Sequence, residues 1–366
     1  MVTLNTGLRR VEPYFFHHRM HTKERWKDRS ILDVFVQEFR NRSPDYYKNA
    51  IEKGWITVNK SVVSPETIVR TNDVIRHAEH FHETPITARP FCIISHDDDV
   101  LVVDKPGGIP MHSSGRYRYN SAVEILKQAL NIPRLYPINR LDRHTSGLVI
   151  MALTPERATE ISLDIERRMV QKEYLCRVQG EFPPGKIVCD APIKPISFKL
   201  SLHYVHEDGK PCMTEFERIS YNGQTSVLKC RPLTGRTHQI RVHLRYLGFP
   251  IANDPMYNFT PVTPWLPPPM TFMSNSKAEQ VIQHLLDMTC YEQEEVQDNT
   301  NNSTSSSGSD VCPECSMLLP REPTPETNFG IYLHAWRYQG KGWDYKTKYP
   351  KWVHEPFNDS VVPAYM

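Results

Sequence analysis

The sequence predicts an α+β protein in which a small helical module precedes a larger domain built on a mixed, mainly antiparallel sheet. Three observations carry this. Short alternating apolar runs recur between residues 93 and 230 with few helical stretches among them. Two amphipathic helical patterns lie upstream, between Ser30 and Gly54. The 366 residues, 39% of them hydrophobic, suffice for one sizeable core and a smaller second one.

Residues 1–25 are expected to form a basic arm, since Arg9, Arg10, Arg19 and Lys23 face only Glu12 over the first 23 residues. A short mitochondrial transit peptide has the same composition and is the alternative. Residues 26–85 read as a module. Ser30 can cap a helix whose apolar positions Ile31, Val34, Phe35 and Phe39 share one face, and Tyr46, Tyr47, Ala50 and Ile51 make a second such face. Ile56 to Lys60 and Val74 to Arg76 follow as short strands.

The main domain is expected over residues 91–366. Ile93, Ile94 and Val100 to Val103 suggest two strands around Asp97-Asp98-Asp99, and Ser121 to Leu130 has a helical face of Ala122, Ile125, Leu126 and Leu130. Pro155 starts a helix running to about Met169. Strands are expected at Lys172 to Val178, Thr214 to Ile219 and Ser226 to Cys230, and Thr237 to Leu247 has helical periodicity. Residues 258–328 break the pattern with a proline-crowded start, a candidate helix at Ala278 to Met288 and an Asn/Thr/Ser tract, so they are expected to be a flexible insertion, of which residues 271–312 contribute nothing to the core. Order returns at Ile331, and the aromatic tail Trp336 to Trp352 is expected to pack on the core.

The net charge of +2 is a sum of opposites. Residues 259–328 carry Lys277 and Arg321 against ten acidic residues, a net of −8, which leaves +10 on the remainder. A basic fold with an acidic insertion suits a partner rich in phosphate. No apolar run approaches the ~20 residues a membrane span needs, so an intracellular protein is expected, in the cytoplasm or nucleus, with the mitochondrion as the alternative. Eight cysteines are scattered, and only Cys312 and Cys315 are closely paired; free thiols in a reducing compartment are the simplest account.

The chemistry centres on Asn139-Arg140-Leu141-Asp142-Arg143-His144-Thr145-Ser146-Gly147-Leu148. Asp142 sits on a turn between two arginines that favour its ionised form. Alone, a turn aspartate is ordinarily a solvated structural residue. Three further segments change that weighing: Gln171-Lys172-Glu173-Tyr174-Leu175, Leu233-Thr234-Gly235-Arg236-Thr237-His238-Gln239-Ile240-Arg241-Val242-His243, and Leu333-His334-Ala335. Together the four resemble the RluA-type pseudouridine synthases, whose usual pattern is His-Arg-Leu-Asp-x-x-Thr-Ser-Gly-Leu. The resemblance covers roughly residues 91–257 and 329–352, and Asn139 stands where that family normally has histidine. The N-terminal module resembles the small alpha-L type RNA-binding module often found upstream of such domains. The Cys-Pro-Glu-Cys insertion and the aromatic ending look most like the eukaryotic branch.

The resemblance implies a pseudouridine synthase catalytic domain with a central cleft, isomerising specific uridines of RNA, either tRNA or mRNA. Breaking the bond from uracil to ribose and rejoining the base through carbon needs a nucleophile, a base platform and a way to extract the nucleotide, with no redox change. No cofactor and no metal are implied. The resemblance gives Asp142 as the catalytic residue and Tyr174 as the platform and a candidate for removing the proton from carbon 5. It gives Arg236 as the basic partner of Asp142, Arg140 as the residue that enters the space of the flipped nucleotide, and Leu333 as an apolar contact beneath the site. RNA is the expected partner, with no membrane, and the protein is expected to be monomeric. His238 and His243, five residues apart, do not share a helix face as a metal pair would.

Two other readings come from different classes. Asn139 lends weight to a catalytically inactive RNA-binding relative. His77-Ala78-Glu79 with Cys312-Pro313-Glu314-Cys315 superficially matches a zinc-dependent deaminase, although one cysteine pair supplies only two of four ligands.

Overall fold

Serine caps set the first helices. Ser30 Oγ accepts from Asp33 N at 3.1 Å to start α1 (Ile31–Glu38), and Ser43 Oγ accepts from Tyr46 N at 3.2 Å to start α2 (Pro44–Glu52), with Pro44 in its first turn. The computed structural model describes residues 2–39, 42–197, 201–258, 265–284, 311–315, 317, 319, 320, 323 and 329–355. They fall into two units, one of Val11–Glu83 with Ser309–Pro320, the other of Val2–Arg10, Thr84–Gly308 and Arg321–Met366.

The expected basic arm is instead strand: β1 (Val2–Asn5), β2 (Leu8–Val11) and β3 (Tyr14–His21). The reason lies in the alternation Phe16, His18, Met20 against exposed His17, Arg19 and His21, which gives β3 one face to bury. In the first unit β3 pairs along its whole length with β6 (Val74–Phe81), and β4 (Ile56–Val58) and β5 (Ser61–Val62) complete a sheet in the order β3-β6-β4-β5. Ile31, Val34, Phe35, Tyr47, Ala50 and Ile51 of the helices pack on Ile56 and Ile75 as this unit's core. The deaminase constellation does not form. His77 meets the Tyr46 hydroxyl at 3.3 Å, and Glu79 is taken up by Arg42 at 2.7 Å and His18 at 3.1 Å.

In the second unit, β7 (Ile86–Thr87) joins β1 and β2 in a small sheet. The main sheet is built from β8 (Cys92–His96), β9 (Val100–Lys105), β10 (Tyr136–Pro137), β11 (Ser146–Ala152), β12 (Gln171–Gln179) and β13 (Lys186–Cys189), then, beyond the hairpin β14 (Ile193–Ser197) and β15 (Leu202–Val205), from β16 (Thr214–Tyr221), β17 (Thr225–Pro232), β18 (Leu333–Gly340) and β19 (Trp343–Lys346). Its order is β13-β16-β17-β12-β18-β11-β9-β8, with β10 on β11 and β19 on β18. Among the described residues every pairing in it is antiparallel except β11 with β18, so the sheet is mixed as the sequence predicts. The helices α3 (Ala122–Leu130), α4 (Pro155–Glu166) and α5 (Gln239–Tyr246) fall within a few residues of their expected positions. One core cluster gathers β12, β16, β17 and α5, and another gathers β9, β11 and α3; Tyr174 packs against both.

Part of the expected insertion belongs to this core. Residues 275–284 are helical, and Met273, Ala278 and Val281 are buried with the β12 cluster, the last two on one helix face. Three apolar positions suffice to anchor the segment, a signal too short to stand out among prolines and serines. The Asn/Thr/Ser tract lies outside the described residues.

The parallel pair is set by Gly147, which lies at φ +114° opposite Ala335. A Cβ there would come within 2.3 Å of the Ala335 oxygen and 2.5 Å of its nitrogen. Gly147→Ala should therefore lower stability by at least about 2 kcal/mol, because backbone rather than a flexible side chain must move. Gly235→Ala, with open space and an ordinary φ, should stay within about 0.5 kcal/mol. Urea denaturation of the two variants checks this.

Candidate active site

The turn that carries Asp142 is fastened from three sides. Thr145 N closes it onto the Asp142 carbonyl at 3.1 Å, Gly108 N donates to the Arg143 carbonyl at 2.7 Å, and Ile331 N donates to the His144 carbonyl at 3.0 Å. Below it lies Lys105, fully buried at the end of β9, whose Nζ donates to the carbonyls of Pro106, Ile109 and Arg143 at 2.8, 2.9 and 3.3 Å. Three donors meet three acceptors, so the ammonium is satisfied without an ion pair. Burial pushes Lys105 down to about 7, and the negative charges of Asp142 and Asp104 oppose that shift. Asp104-Lys105-Pro106-Gly107-Gly108 is thus a support for the turn that carries Asp142.

The guanidinium beside Asp142 is that of Arg241 and not of Arg236. Arg241 Nη1 donates to Asp142 Oδ2 at 3.2 Å. Its other edge is held by Asp254, with Nε to Oδ2 at 2.7 Å and Nη2 to Oδ1 at 2.8 Å, a two-point fork that fixes the plane. Asp254 is fixed in turn, its Oδ1 accepting from the amides of Met256 and Tyr257 at 2.9 and 3.1 Å. The Tyr257 ring lies 5.0 Å below the Arg241 guanidinium carbon. Arg236 instead donates to the Pro211 carbonyl at 3.2 and 3.3 Å and is exposed. The signal that separates them is helical. His238 caps α5 and Arg241 lies three residues on, on the same face, whereas Arg236 precedes the helix.

His238 Nε2 is 3.6 Å from Asp142 Oδ2. The Asp142 carboxylate can only accept, which favours Nε2–H on its side and leaves Nδ1 to accept from the Tyr257 hydroxyl at 3.0 Å; that hydroxyl also accepts from His203 N at 3.2 Å. Burial pushes His238 down to about 4. It is therefore neutral at pH 7. For Asp142 burial works against the charge, but His238 and Arg241 outweigh it and hold the carboxyl below the usual range; with His238 neutral, the standing positive charge is that of Arg241. The Asp142 side chain is 28% exposed, and among the described residues its Oδ1 accepts no hydrogen bond.

Tyr174 lies on β12 opposite Ala335, just past an irregularity in the pairing with β18, and its hydroxyl hydrogen-bonds that of Tyr338. Burial, then Tyr338 and Asp142, push its pKa well above that of a free phenol. At neutral pH it offers a ring and an O–H, and no phenolate. Asn139 sits behind this pair, donating to the Leu148 carbonyl at 3.1 Å and the Tyr338 hydroxyl at 3.4 Å and accepting from Ile150 N at 2.8 Å. The departure at position 139 therefore touches the tyrosine pair and the β10–β11 hairpin, while the partners of Asp142 are His238 and Arg241. Leu333 is buried in the core cluster against which Tyr174 packs, and Arg140 is exposed. His243 hydrogen-bonds Thr214 Oγ1 at 3.0 Å and the Ala191 carbonyl at 2.9 Å, a structural role.

The site thus holds an ionised carboxylate with one oxygen free of partners among the described residues, an arginine fixed beside it and an aromatic ring. Residues 99–246 match the family model described as RNA pseudouridylate synthase. The chain is 39% identical over 374 residues to the mitochondrial tRNA pseudouridine(32) synthase of Saccharomyces cerevisiae, covering 96% of this chain and 78% of that protein. It is 36% identical over 407 residues to pseudouridylate synthase RPUSD2 of Mus musculus, covering 96% and 73%. It is also 36% identical over 356 residues to RNA pseudouridine synthase 7 of Arabidopsis thaliana, covering 95% and 87%. On these matches the chain belongs to the RNA pseudouridine synthases, in the RluA-type family with its eukaryotic relatives, and is an enzyme of RNA modification. No helix among the described residues is long and apolar enough to cross a membrane.

Breaking the buried cluster should be costly. Arg241→Gln leaves Asp254 buried and unpaired and should destabilise by about 3–5 kcal/mol, whereas Arg236→Ala should cost under about 0.5 kcal/mol. Because Asp142 and Asp254 are both held below the usual carboxylate range, their contribution is present above the unfolded value near pH 4 and is lost as pH falls through the folded values. Urea melts at pH 7 and pH 3 should therefore show the gap between wild type and Arg241→Gln narrowing at the lower pH.

Proposed function

We propose that Asp142 is the nucleophile of uridine isomerisation and that the substrate class is transfer RNA. The observation that supports the first part is the Asp142–Arg241–Asp254 cluster, which keeps one carboxylate ionised while leaving Oδ1 open. In the reaction the carboxylate attacks the anomeric carbon of ribose, and uracil departs with the electron pair of the N1 bond. The base turns, carbon 5 attacks the same carbon, and the carboxylate is released. Carbon 5 loses its proton and N1 gains one, so composition is unchanged.

Tyr174 acts as the platform for the detached uracil, its hydroxyl held by Tyr338. Its raised pKa disfavours a phenolate, which weighs against Tyr174 itself as the base that removes the proton from carbon 5. Arg140, exposed next to the catalytic turn, fills the space of the extracted nucleotide, and Arg236 serves as a phosphate contact. Leu333 supports the ring of Tyr174 from the core. The transfer RNA assignment draws on the names of two relatives, the yeast tRNA pseudouridine(32) and tRNA pseudouridine(31) synthases, at 39% and 32% identity. The compartment follows the RNA, cytoplasm or nucleus, with the mitochondrion as the alternative that the first of those names raises. The N-terminal unit is read as an RNA-binding module, and the enzyme as a monomer, since one chain supplies the whole cluster.

Asp142→Asn should abolish pseudouridine formation in a transfer RNA transcript while leaving its affinity within about threefold, since the amide keeps the shape and loses the nucleophile. Tyr174→Phe should keep binding and lower the single-turnover rate. Substantial product from Asp142→Asn would contradict the assignment of the nucleophile, and modification of messenger RNA fragments in preference to any transfer RNA would contradict the substrate class.

A further inference from the structure

Outside the catalytic unit, the first unit brings together four side chains that the reaction does not use. His80 and His82 lie two residues apart at the end of β6, so both project to the same face, opposite to that of His77 and Glu79. The Cys312-Pro313-Glu314-Cys315 turn, closed by Cys312 N to the Met317 carbonyl at 2.8 Å, lies against them. His80 Nδ1 is 3.6 Å from Cys312 Sγ and His82 Nε2 is 3.3 Å from Cys315 Sγ. One ligand atom from each residue lies within 4.8 Å of all the others. Both cysteines are free thiols and both are buried.

These distances are those of a coordination sphere. Tetrahedral zinc with Zn–S near 2.3 Å and Zn–N near 2.0 Å places nitrogen and sulfur ligands about 3.5 Å apart. A second feature is independent of the ligand spacing. The other ring nitrogen of His80, Nε2, faces the Glu314 carboxylate at 3.4 Å, the carboxylate–histidine arrangement that fixes the tautomer and orientation of a metal-binding imidazole. Two thiolates and two imidazoles balance a divalent cation and leave no open position. Such a set is structural and not catalytic.

We propose that His80, His82, Cys312 and Cys315 bind one structural Zn²⁺, which fastens the 311–317 segment to β6 within the N-terminal unit. The metal takes the place of a covalent staple between residues more than 200 apart in the chain, in a set of free thiols. Sequence spacing alone shows only the cysteine pair; the two histidines come from a strand 230 residues upstream, which only the fold brings near.

The test uses the full-length protein with any affinity tag removed, dialysed against a weak chelator in the presence of a thiol reductant. Elemental analysis should find one zinc per chain. The Cys312→Ser/Cys315→Ser double variant should lose it at least tenfold, and Cys92→Ser, an exposed cysteine elsewhere, should keep it. Should the double variant fail to fold, cobalt exchange into the wild-type protein serves instead, with the intense visible absorption of a tetrahedral thiolate site expected. A chain that takes up neither zinc nor cobalt after reduction, a Cys312–Cys315 disulfide in freshly isolated protein, an octahedral cobalt spectrum, or zinc retained by a folded double variant would each overturn the proposal.

Discussion

The ion cluster Asp142–Arg241–Asp254 is the constraint on which the catalytic half of this protein turns. A lone buried arginine would be strongly disfavoured, and a lone carboxylate in a half-closed site would drift toward its neutral form. Each defect removes the other. Asp254, itself fixed by two backbone amides, aligns the guanidinium so that one N–H remains for Asp142. The arrangement keeps the Asp142 carboxylate, the proposed nucleophile, charged without consuming both of its oxygens, which a direct two-point fork onto Asp142 would do.

Sheet architecture delivers the parts to one place. The aspartate turn enters β11, the strand whose parallel contact with β18 depends on the missing side chain of Gly147. β18 also pairs with β12, which carries Tyr174, and contributes Tyr338, so the aspartate turn and the tyrosine pair are separated by one shared strand. Lys105 and the Gly108 amide fasten the same turn from β9 on the other side. Asn139, the departure from the usual family pattern, is absorbed as a buried amide whose donors and acceptor are all satisfied within this framework.

Much of this was legible in the sequence, because most elements here obey local rules. Serine caps, a proline in a first turn and helical spacing locate α1 to α4 closely, and short apolar runs locate β9, β12, β16 and β17. What escaped was non-local. The strand β3 is rich in His and Arg and reads as a basic arm until β6 is placed beside it. The short strands β13 to β15 contain Lys186, Lys194 and Pro195, which obscure any alternation. At the site, motif segments point to Asp142 and Tyr174, but two arginines five residues apart compete for one role. Only the start of α5, at His238, decides that Arg241 faces the carboxylate while Arg236 turns to Pro211.

The charge of Asp142 is set by Arg241. Carboxyl carbon NMR of selectively labelled aspartate, titrated in the folded protein, measures it most directly, with Asp142→Asn identifying the resonance. The expected result is a wild-type Asp142 pKa below the ordinary aspartate value near 3.9, a clear rise in a folded Arg241→Gln variant, and no change in Arg236→Ala. An Asp142 that titrates at or above the ordinary value in the wild type, or that responds to Arg236 and not to Arg241, would contradict it.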